Sequence, residues 1–299
     1  MGSLLRRTKV YAKNVAEAVT GRKSAGRDLT VFPEDLFIVS YLRSGSTWAR
    51  FLFGNLVQDE PITFANVNRL VPLIYDYPDR ILRRLPRLIK SHECFDPRYP
   101  RVIHIVRDPR DVAVSFYYYN IKVGELPDGY PMNEFVDRFL AARTAGYADR
   151  LGSWQDHTLS WLRLRNGKPG YRIVRYEDLL SDTATEVRRL ADLLPINVQP
   201  ERVARAVQLS SATRMRSLEQ QQWKQWGTTK NTRSDIGFVR EAKAGGWQGK
   251  LSLASVRKIE AVWGDTMEEL GYQLSEGPTA PATTGSLAPP SILPSPQRE

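Results

Sequence analysis

Three short apolar runs rich in β-branched residues interrupt an otherwise mixed pattern, at residues 36–39, 101–106 and 171–174. Each run is followed by a polar turn and then by a segment with helical periodicity, at residues 47–57, 111–119 and 183–194. Runs of this kind are typical of buried parallel strands, and strands that alternate with helices indicate an α/β fold. The pattern therefore predicts a three-layer structure, with a parallel sheet flanked by helices. Ligands of such sheets bind at the carboxyl ends of the strands, so chemistry is expected in the turns that follow them.

The two ends of the chain depart from this pattern. Residues 276–299 include six prolines and almost no large apolar side chains, so we expect a disordered Pro-rich tail. Residues 1–28 predict a short basic amphipathic helix and a loop, with charges where a secretory signal would need an apolar run. No repeat or linker divides residues 29–275, which we interpret as one domain. No apolar stretch is long enough for a membrane span.

Lysine and arginine outnumber aspartate and glutamate by 43 to 33, a formal net charge of +10. This surplus indicates an anionic partner such as a nucleotide, a nucleic acid, an acidic glycan or a membrane surface, or else a basic solvated surface without one. The single cysteine, Cys94, excludes an internal disulfide and fits a cytoplasmic location. Three scattered histidines and one cysteine show no metal-ligand spacing, so we expect no metal.

The turn after the first predicted strand has the composition of an anion-binding loop. Ser44, Gly45, Ser46 and Thr47 are small and polar, and they open a predicted helix whose N-terminus favours negative charge. A Walker A loop would need glycine at position 40 and lysine at position 46, whereas this chain has serine at both and places its cation earlier, at Arg43. The fold is therefore expected to be P-loop-like without being a Walker A site. A simple helix cap in a serine-rich turn explains the same residues.

Four blocks in this order resemble the cytosolic-type sulfotransferases. YLRSGSTW, residues 41–48, is similar to that family's 5′-phosphosulfate loop, and RLIKSHECF, residues 87–95, to its segment with the catalytic histidine. Residues 102–119 resemble its 3′-phosphate-binding strand and helix. FVREAKAGGW, residues 238–247, resembles its C-terminal motif. The resemblance extends over roughly residues 31–272.

The resemblance implies transfer of a sulfuryl group from 3′-phosphoadenosine 5′-phosphosulfate (PAPS) to an acceptor hydroxyl or amine, without a metal. The loop would hold the 5′-phosphate, two aromatic residues the adenine, and a pair of arginines with a serine the 3′-phosphate. The donor-binding residues that it implies are Arg43, Ser44, Gly45, Ser46, Thr47, Trp48, Arg107, Ser115, Tyr176, Ser211 and Arg240.

The implied catalytic residues are His92, Lys90 and Arg43. His92 matches the family's general base, and an imidazole suits this role because its pKa lies near the operating pH. Lys90 and Arg43 would stabilise negative charge around the transferring group. The other two histidines have ordinary explanations: His104 lies within an apolar strand and is expected in the core, and His157 is expected in the framework.

The C-terminal block departs from the family pattern. Glu241 stands where the family has a basic residue, and Ala242 where it has glycine. The 3′-phosphate site is therefore expected to be weaker, or remodelled around Arg240 and Lys243. Residues 218–246 lack sustained periodicity and lead into this block, so we interpret them as a lid ordered mainly by the donor.

Two other functions fit parts of the sequence. A P-loop kinase-like, ATP-dependent phosphotransferase would also use a phosphate-binding loop, but the loop lysine is missing. A nucleic-acid-binding protein would use the net positive charge, but no recognition motif supports one, and we expect no nucleic-acid partner. The acceptor is expected to be a small molecule, a lipid or a glycan. Residues 117–119 are either acceptor-pocket tyrosines or ordinary aromatics, and the oligomeric state is open.

Overall fold

The computed structural model describes residues 29–76, 86–144 and 151–275. Four parallel strands form one sheet in the order β2-β1-β3-β4. The strands are β1 (Leu36–Ser40), β2 (Leu88–Ser91), β3 (Arg101–Val106) and β4 (Tyr171–Arg175). In the register, Ile38 of β1 lies opposite Lys90 of β2 and Ile103 of β3. The predicted α/β fold with a parallel sheet is confirmed.

Helices cover both faces of this sheet. In chain order they are α1 (Ser46–Val57), α2 (Val67–Leu70), α3 (Pro109–Lys122), α4 (Met132–Leu140), α5 (Trp154–Arg165), α6 (Tyr176–Ser181), α7 (Thr183–Ala191), α8 (Pro200–Leu209), α9 (Ala212–Gln222) and α10 (Leu253–Glu269). A 3-10 turn, Ile74–Asp76, precedes β2. No helix in the described ranges is long and apolar enough to cross a membrane.

The alternation of side chains along β1 explains the layers. Leu36 and Ile38 pack into a cluster with α1, α7 and α8. Phe37 and Val39 point to the opposite face and pack with Trp161 of α5. All five β1 residues are buried, because successive strand side chains face opposite sides of a sheet that is covered on both.

Three strands were predicted from their apolar runs, and one was missed. β2 holds only four residues, of which Lys90 and Ser91 are polar, so no apolar run marks it. The helix predicted at 111–119 is longer, because Asp108 caps it and Pro109 occupies its first position. The helix predicted at 183–194 ends earlier, at Ala191. The predictions for residues 1–28 and 276–299 lie outside the described residues.

The segment predicted to be a lid begins inside α9, so residues 218–222 are helical. From there the chain runs through turns held by buried charged side chains. The Glu219 carboxylate accepts hydrogen bonds from the backbone N–H groups of Phe238 (2.5 Å) and Val239 (2.9 Å). Lys122 Nζ donates to the carbonyls of Arg233 and Ile236, at 2.6 Å each. The domain itself therefore anchors this segment, and its dependence on the donor stays a prediction.

We expect Glu219→Ala to release the segment that follows α9. The change leaves two partly buried N–H groups without their acceptor, which lowers the free energy of unfolding by about 1–3 kcal/mol. Urea unfolding measures this loss, and hydrogen exchange should accelerate at the Phe238 and Val239 amides. Gln221→Ala, at an exposed position of the same helix, is the matched control and should change neither. Unchanged exchange at both amides would show that Glu219 does not anchor the segment.

Candidate active site

The loop between β1 and α1 turns sharply at two residues with positive φ, Arg43 (65°) and Gly45 (97°). Gly45 precedes the first residue of α1, and no described side chain caps this helix. A Cβ at position 45 would come within 2.6 Å of the Tyr176 ring, so only glycine fits here. The loop therefore leaves the positive N-terminus of α1 free to face an anion.

A cavity of about 330 Å³ opens beside this helix end, among residues that follow β1, β3 and β4. Ten of the eleven predicted donor-binding residues line it: Arg43, Gly45, Ser46, Thr47, Trp48, Arg107, Ser115, Tyr176, Ser211 and Arg240. The eleventh, Ser44, is fully buried in the same loop and does not line the cavity. The fold thus brings residues from positions 43 to 240 to one site.

Aromatic side chains form one part of the cavity wall. The rings of Trp48 and Tyr176 pack edge to face, with centroids 5.6 Å apart. Trp48 Nε1 donates to the Ser210 carbonyl at 3.0 Å, which fixes the indole. Ser211 caps α9 through a 3.4 Å hydrogen bond from the Arg214 N–H. Trp48 and Tyr176 both line the cavity, and aromatic side chains suit contact with a flat base.

Arg43 is held at the other part of the wall by two rings and a hydroxyl. Its guanidinium carbon lies 4.6 Å from the Tyr119 ring centroid and 4.5 Å from that of Phe238. Its Nε donates to Ser115 Oγ at 3.2 Å. Burial lowers the pKa of Arg43 to about 10, so the side chain keeps its charge at neutral pH. The cation is therefore fixed towards Ser115.

Arg107 and Arg240 add two further cations. Arg107 donates to the carbonyls of Arg43 (3.3 Å) and Lys243 (3.2 Å), and its guanidinium lies 4.3 Å from the Tyr176 ring. Arg240 lies 4.1 Å from the ring of Tyr118. Three arginines thus border one cavity, an arrangement suited to a multiply charged anion.

Asp111 attaches the C-terminal block to this cavity. Its carboxylate accepts hydrogen bonds from the N–H groups of Gly245 and Trp247, both at 2.9 Å. It also lies 3.8 Å from Arg107 Nη2. Burial raises the pKa of Asp111. No local pattern singles out Asp111, because the two N–H groups that it accepts from lie more than 130 positions away.

His92 and Lys90 lie at the end of β2, next to β1, and neither lines the cavity. The Nδ1 atom of His92 lies 2.7 Å from the Ser40 carbonyl oxygen. A carbonyl can only accept, so Nδ1 carries the proton and Nε2 keeps its lone pair. Burial and the charge of Lys90 lower the pKa of His92 well below 6.5. The imidazole is therefore neutral at physiological pH.

Lys90 connects the histidine electrostatically to the cavity. Burial lowers its pKa well below 10.5, with further contributions from Arg50 and Arg43. Arg43 and Lys90 thus lie close enough to influence each other, as do Lys90 and His92. Of the three predicted catalytic residues, Arg43 thus lines the cavity, while Lys90 and His92 lie at the end of β2.

The remaining histidines and the three tyrosines have other roles. His104 is fully buried and its Nδ1 is 2.7 Å from the hydroxyl of Tyr171, which confirms the core prediction. His157 is also buried, and burial lowers its pKa to about 3. Tyr117 belongs to the core, whereas Tyr118 and Tyr119 hold the arginines already described.

The described residues contain no group of three or more His, Cys, Asp or Glu side chains that could hold a metal ion.

The role of Phe238 is not evident from the sequence. The residue was part of the C-terminal block, but only the three-dimensional structure shows its ring against Arg43.

Comparisons with known proteins agree with the geometry. A family model described as the sulfotransferase domain matches residues 33–271. Sulfotransferase 2B1 of Mus musculus is 25% identical over 267 residues, which cover 83% of this chain and 76% of that protein. Sulfotransferase 1A1 of Bos taurus is 26% identical over 254 residues, which cover 79% and 84%.

Solved structures show the same fold. Mouse sulfotransferase SULT7A1 complexed with PAP has a TM-score of 0.63 and 22% identity, over 80% of this chain and 87% of that one. Retinol dehydratase in complex with androsterone and the inactive cofactor PAP has a TM-score of 0.62 and 18% identity, over 83% and 84%.

These matches confirm the predicted family and give no support to the kinase-like alternative. The matched region includes the loop, the cavity and the end of β2, and so contains every residue of the candidate site. The chain therefore belongs to the sulfotransferase family, whose enzymes transfer sulfuryl groups, and it is such an enzyme.

Proposed function

We propose that this chain transfers the sulfuryl group of PAPS to a hydroxyl or amine of its acceptor, with His92 as the general base. The observation that carries the proposal is the cavity itself, where three arginines, a helix N-terminus and two aromatic rings meet. An adenine nucleotide with phosphates at its 3′ and 5′ positions needs these three kinds of contact: the arginines and the helix N-terminus suit its phosphates, and the aromatic rings suit its base. PAP, the product left by PAPS, is bound in the mouse and retinol dehydratase structures.

Features of the loop and of Arg107 support the fit of such a nucleotide. In the part of the chain that the structure describes, the buried Oγ of Ser44 and Nε of Arg107 have no hydrogen-bond partner. Buried polar atoms are normally hydrogen-bonded, so unpaired ones next to a cavity are consistent with a polar ligand. The cavity volume of about 330 Å³ lies within the range of small-molecule sites.

Each donor-binding residue then has a task. Ser44 to Thr47 and the N-terminus of α1 bind the 5′-phosphate, and Trp48 and Tyr176 bind the adenine. Ser211 contacts the donor at the start of α9. The 3′-phosphate is bound by Arg107, Ser115 and Arg240. Bound PAPS supplies the sulfuryl group, and its phosphate is the leaving group. The rate depends mainly on how the sulfuryl group is positioned relative to His92.

His92 is oriented for proton abstraction. The Ser40 carbonyl holds the proton on Nδ1, which leaves the Nε2 lone pair to take the proton of the acceptor hydroxyl. As that O–H bond breaks, the acceptor oxygen forms its bond to sulfur and the bond from sulfur to the phosphate oxygen breaks. Lys90 stabilises the negative charge that develops during this exchange.

Arg43 fits donor binding better than proton chemistry. Its guanidinium keeps its charge and is fixed between two rings with Nε on Ser115. Its role is therefore to hold positive charge between the 3′-phosphate residues and Lys90. For the acceptor we propose a small alcohol, since retinol dehydratase is found with retinol and with androsterone.

We expect His92→Ala to lower kcat by at least about 100-fold, the usual contribution of general base catalysis. His92 does not line the cavity, so the Kd for PAP should stay close to that of the unchanged protein. Radiolabelled sulfuryl transfer and calorimetry measure the two effects. If the variant kept more than about a tenth of kcat, another group would have to act as the base.

The pH profile of kcat/KM should be shifted to lower pH, because the pKa values of both His92 and Lys90 are lowered. His92 must be neutral, and its lowered pKa predicts that the acid fall of kcat/KM is centred well below pH 6.5. Lys90 must be charged, and its lowered pKa predicts an alkaline fall well before pH 10.5. Lys90→Arg should move only the alkaline fall. An acid fall centred near 6.5 would contradict the assigned environment of His92.

We expect PAP to bind at least about tenfold more tightly than adenosine 5′-phosphate, because charge-assisted hydrogen bonds to the 3′-phosphate are lost in the second ligand. Arg240→Gln should reduce this preference, while Lys224→Gln, a cation outside the cavity, should not. Calorimetry with both nucleotides measures the ratio. Equal affinity of the unchanged protein for both would refute the 3′-phosphate site.

A further inference from the structure

One carboxylate lies among the cations at the C-terminal side of the cavity. Glu241 accepts a hydrogen bond from Lys243 Nζ at 2.9 Å and contacts Lys250 Nζ directly. Arg240 Nη2 is 4.0 Å from the same carboxylate. Glu241, Lys243 and Arg240 all line the cavity. A negative charge is therefore built into the wall that we assign to the 3′-phosphate.

The two lysines belong to the same group of cations as the arginines. The backbone carbonyl of Lys243 accepts from Arg107 Nη2 at 3.2 Å, which places this residue beside Arg107. Lys250 Nζ lies 5.8 Å from the ring centroid of Tyr118, the ring that Arg240 also covers at 4.1 Å. Both ammonium groups are thus near the proposed 3′-phosphate residues, and Glu241 is their partner.

We infer that the Glu241 carboxylate competes with the 3′-phosphate of the donor for Lys243 and Lys250, and so limits affinity for 3′-phosphorylated nucleotides. This inference rests on the proposed function. A carboxylate and a phosphate accept the same charge-assisted hydrogen bonds, and the two anions repel each other. A bound 3′-phosphate must therefore share the lysines with Glu241 or displace it.

The side chain of Glu241 can be changed without removing the anchor of its segment. The anchor is its backbone carbonyl, which accepts from Arg216 Nη2 at 3.0 Å. The carboxylate is 33% exposed and Lys243 is 59% exposed. Ion pairs at this exposure contribute little to stability, so Glu241→Gln should fold normally.

Calorimetry with PAP and adenosine 5′-phosphate tests the competition. Glu241→Gln should bind PAP about tenfold more tightly, since two lysines become available to the phosphate, and its affinity for adenosine 5′-phosphate should change by less than about twofold. Glu60→Gln is the matched control: Glu60 forms an ion pair with Arg69 outside the cavity, and its replacement makes the same change in net charge. It should alter neither affinity.

A double-mutant cycle tests whether Lys243 is the cation that Glu241 and the 3′-phosphate share. Lys243→Met should weaken PAP binding more in the Glu241→Gln background than in the unchanged protein, because the lysine then serves the phosphate alone. The backbone contact from Lys243 to Arg107 is kept in both backgrounds.

Several results would overturn the inference: weaker PAP binding by Glu241→Gln, an equal change for both nucleotides, or additive effects in the cycle. Failure of the proposed function looks different. In that case the unchanged protein itself would show no preference for PAP over adenosine 5′-phosphate, before any substitution is made.

Discussion

Burial of positive charge is the constraint on which this site depends. Arg43, Arg50 and Lys90 are each largely removed from solvent, and burial lowers the pKa of all three. Desolvating a cation is unfavourable unless other groups interact with it. Two aromatic rings and a hydroxyl surround Arg43, while Arg50 donates to the carbonyls of Val67 and Val71 and to Asn68. Rings and carbonyls stabilise the cations without cancelling their charge, so a bound anion still experiences it.

Charged side chains also hold the segment that contributes residues 238–243 to the cavity wall. Lys122 and Arg216 donate to backbone carbonyls of residues 233–241. Glu219 accepts from two backbone N–H groups within this range, and Asp111 accepts from two that follow it. Here charged side chains replace helix or strand hydrogen bonds, so an irregular segment obtains a defined path. Its position is therefore coupled to the charges of the cavity, and we expect a ligand that binds those charges to stabilise the segment as well.

Much of the fold could be predicted because β1, β3 and β4 are continuous apolar runs. β2 could not, since half of its four residues, Lys90 and Ser91, are polar and interrupt the apolar pattern. The site residues were identified by resemblance, because no local pattern relates Arg43 to Phe238 or Asp111 to Gly245. Those contacts depend on the order of the strands, which places the ends of β1, β3 and β4 side by side.

Two carboxylates at the cavity have opposite consequences for its charge. Asp111 is 2% exposed and satisfied by two N–H groups, so its negative charge is used within the protein, where it fixes the C-terminal block and orients Arg107. Glu241 is partly exposed and satisfied by lysine side chains, which an incoming anion can also bind. Gly246 lies between them, where a Cβ would meet Asp111 Oδ1 at 3.3 Å and Glu241 Oε2 at 3.4 Å. A side chain at this position would crowd both carboxylates, so glycine lets Asp111 and Glu241 keep the positions that they occupy.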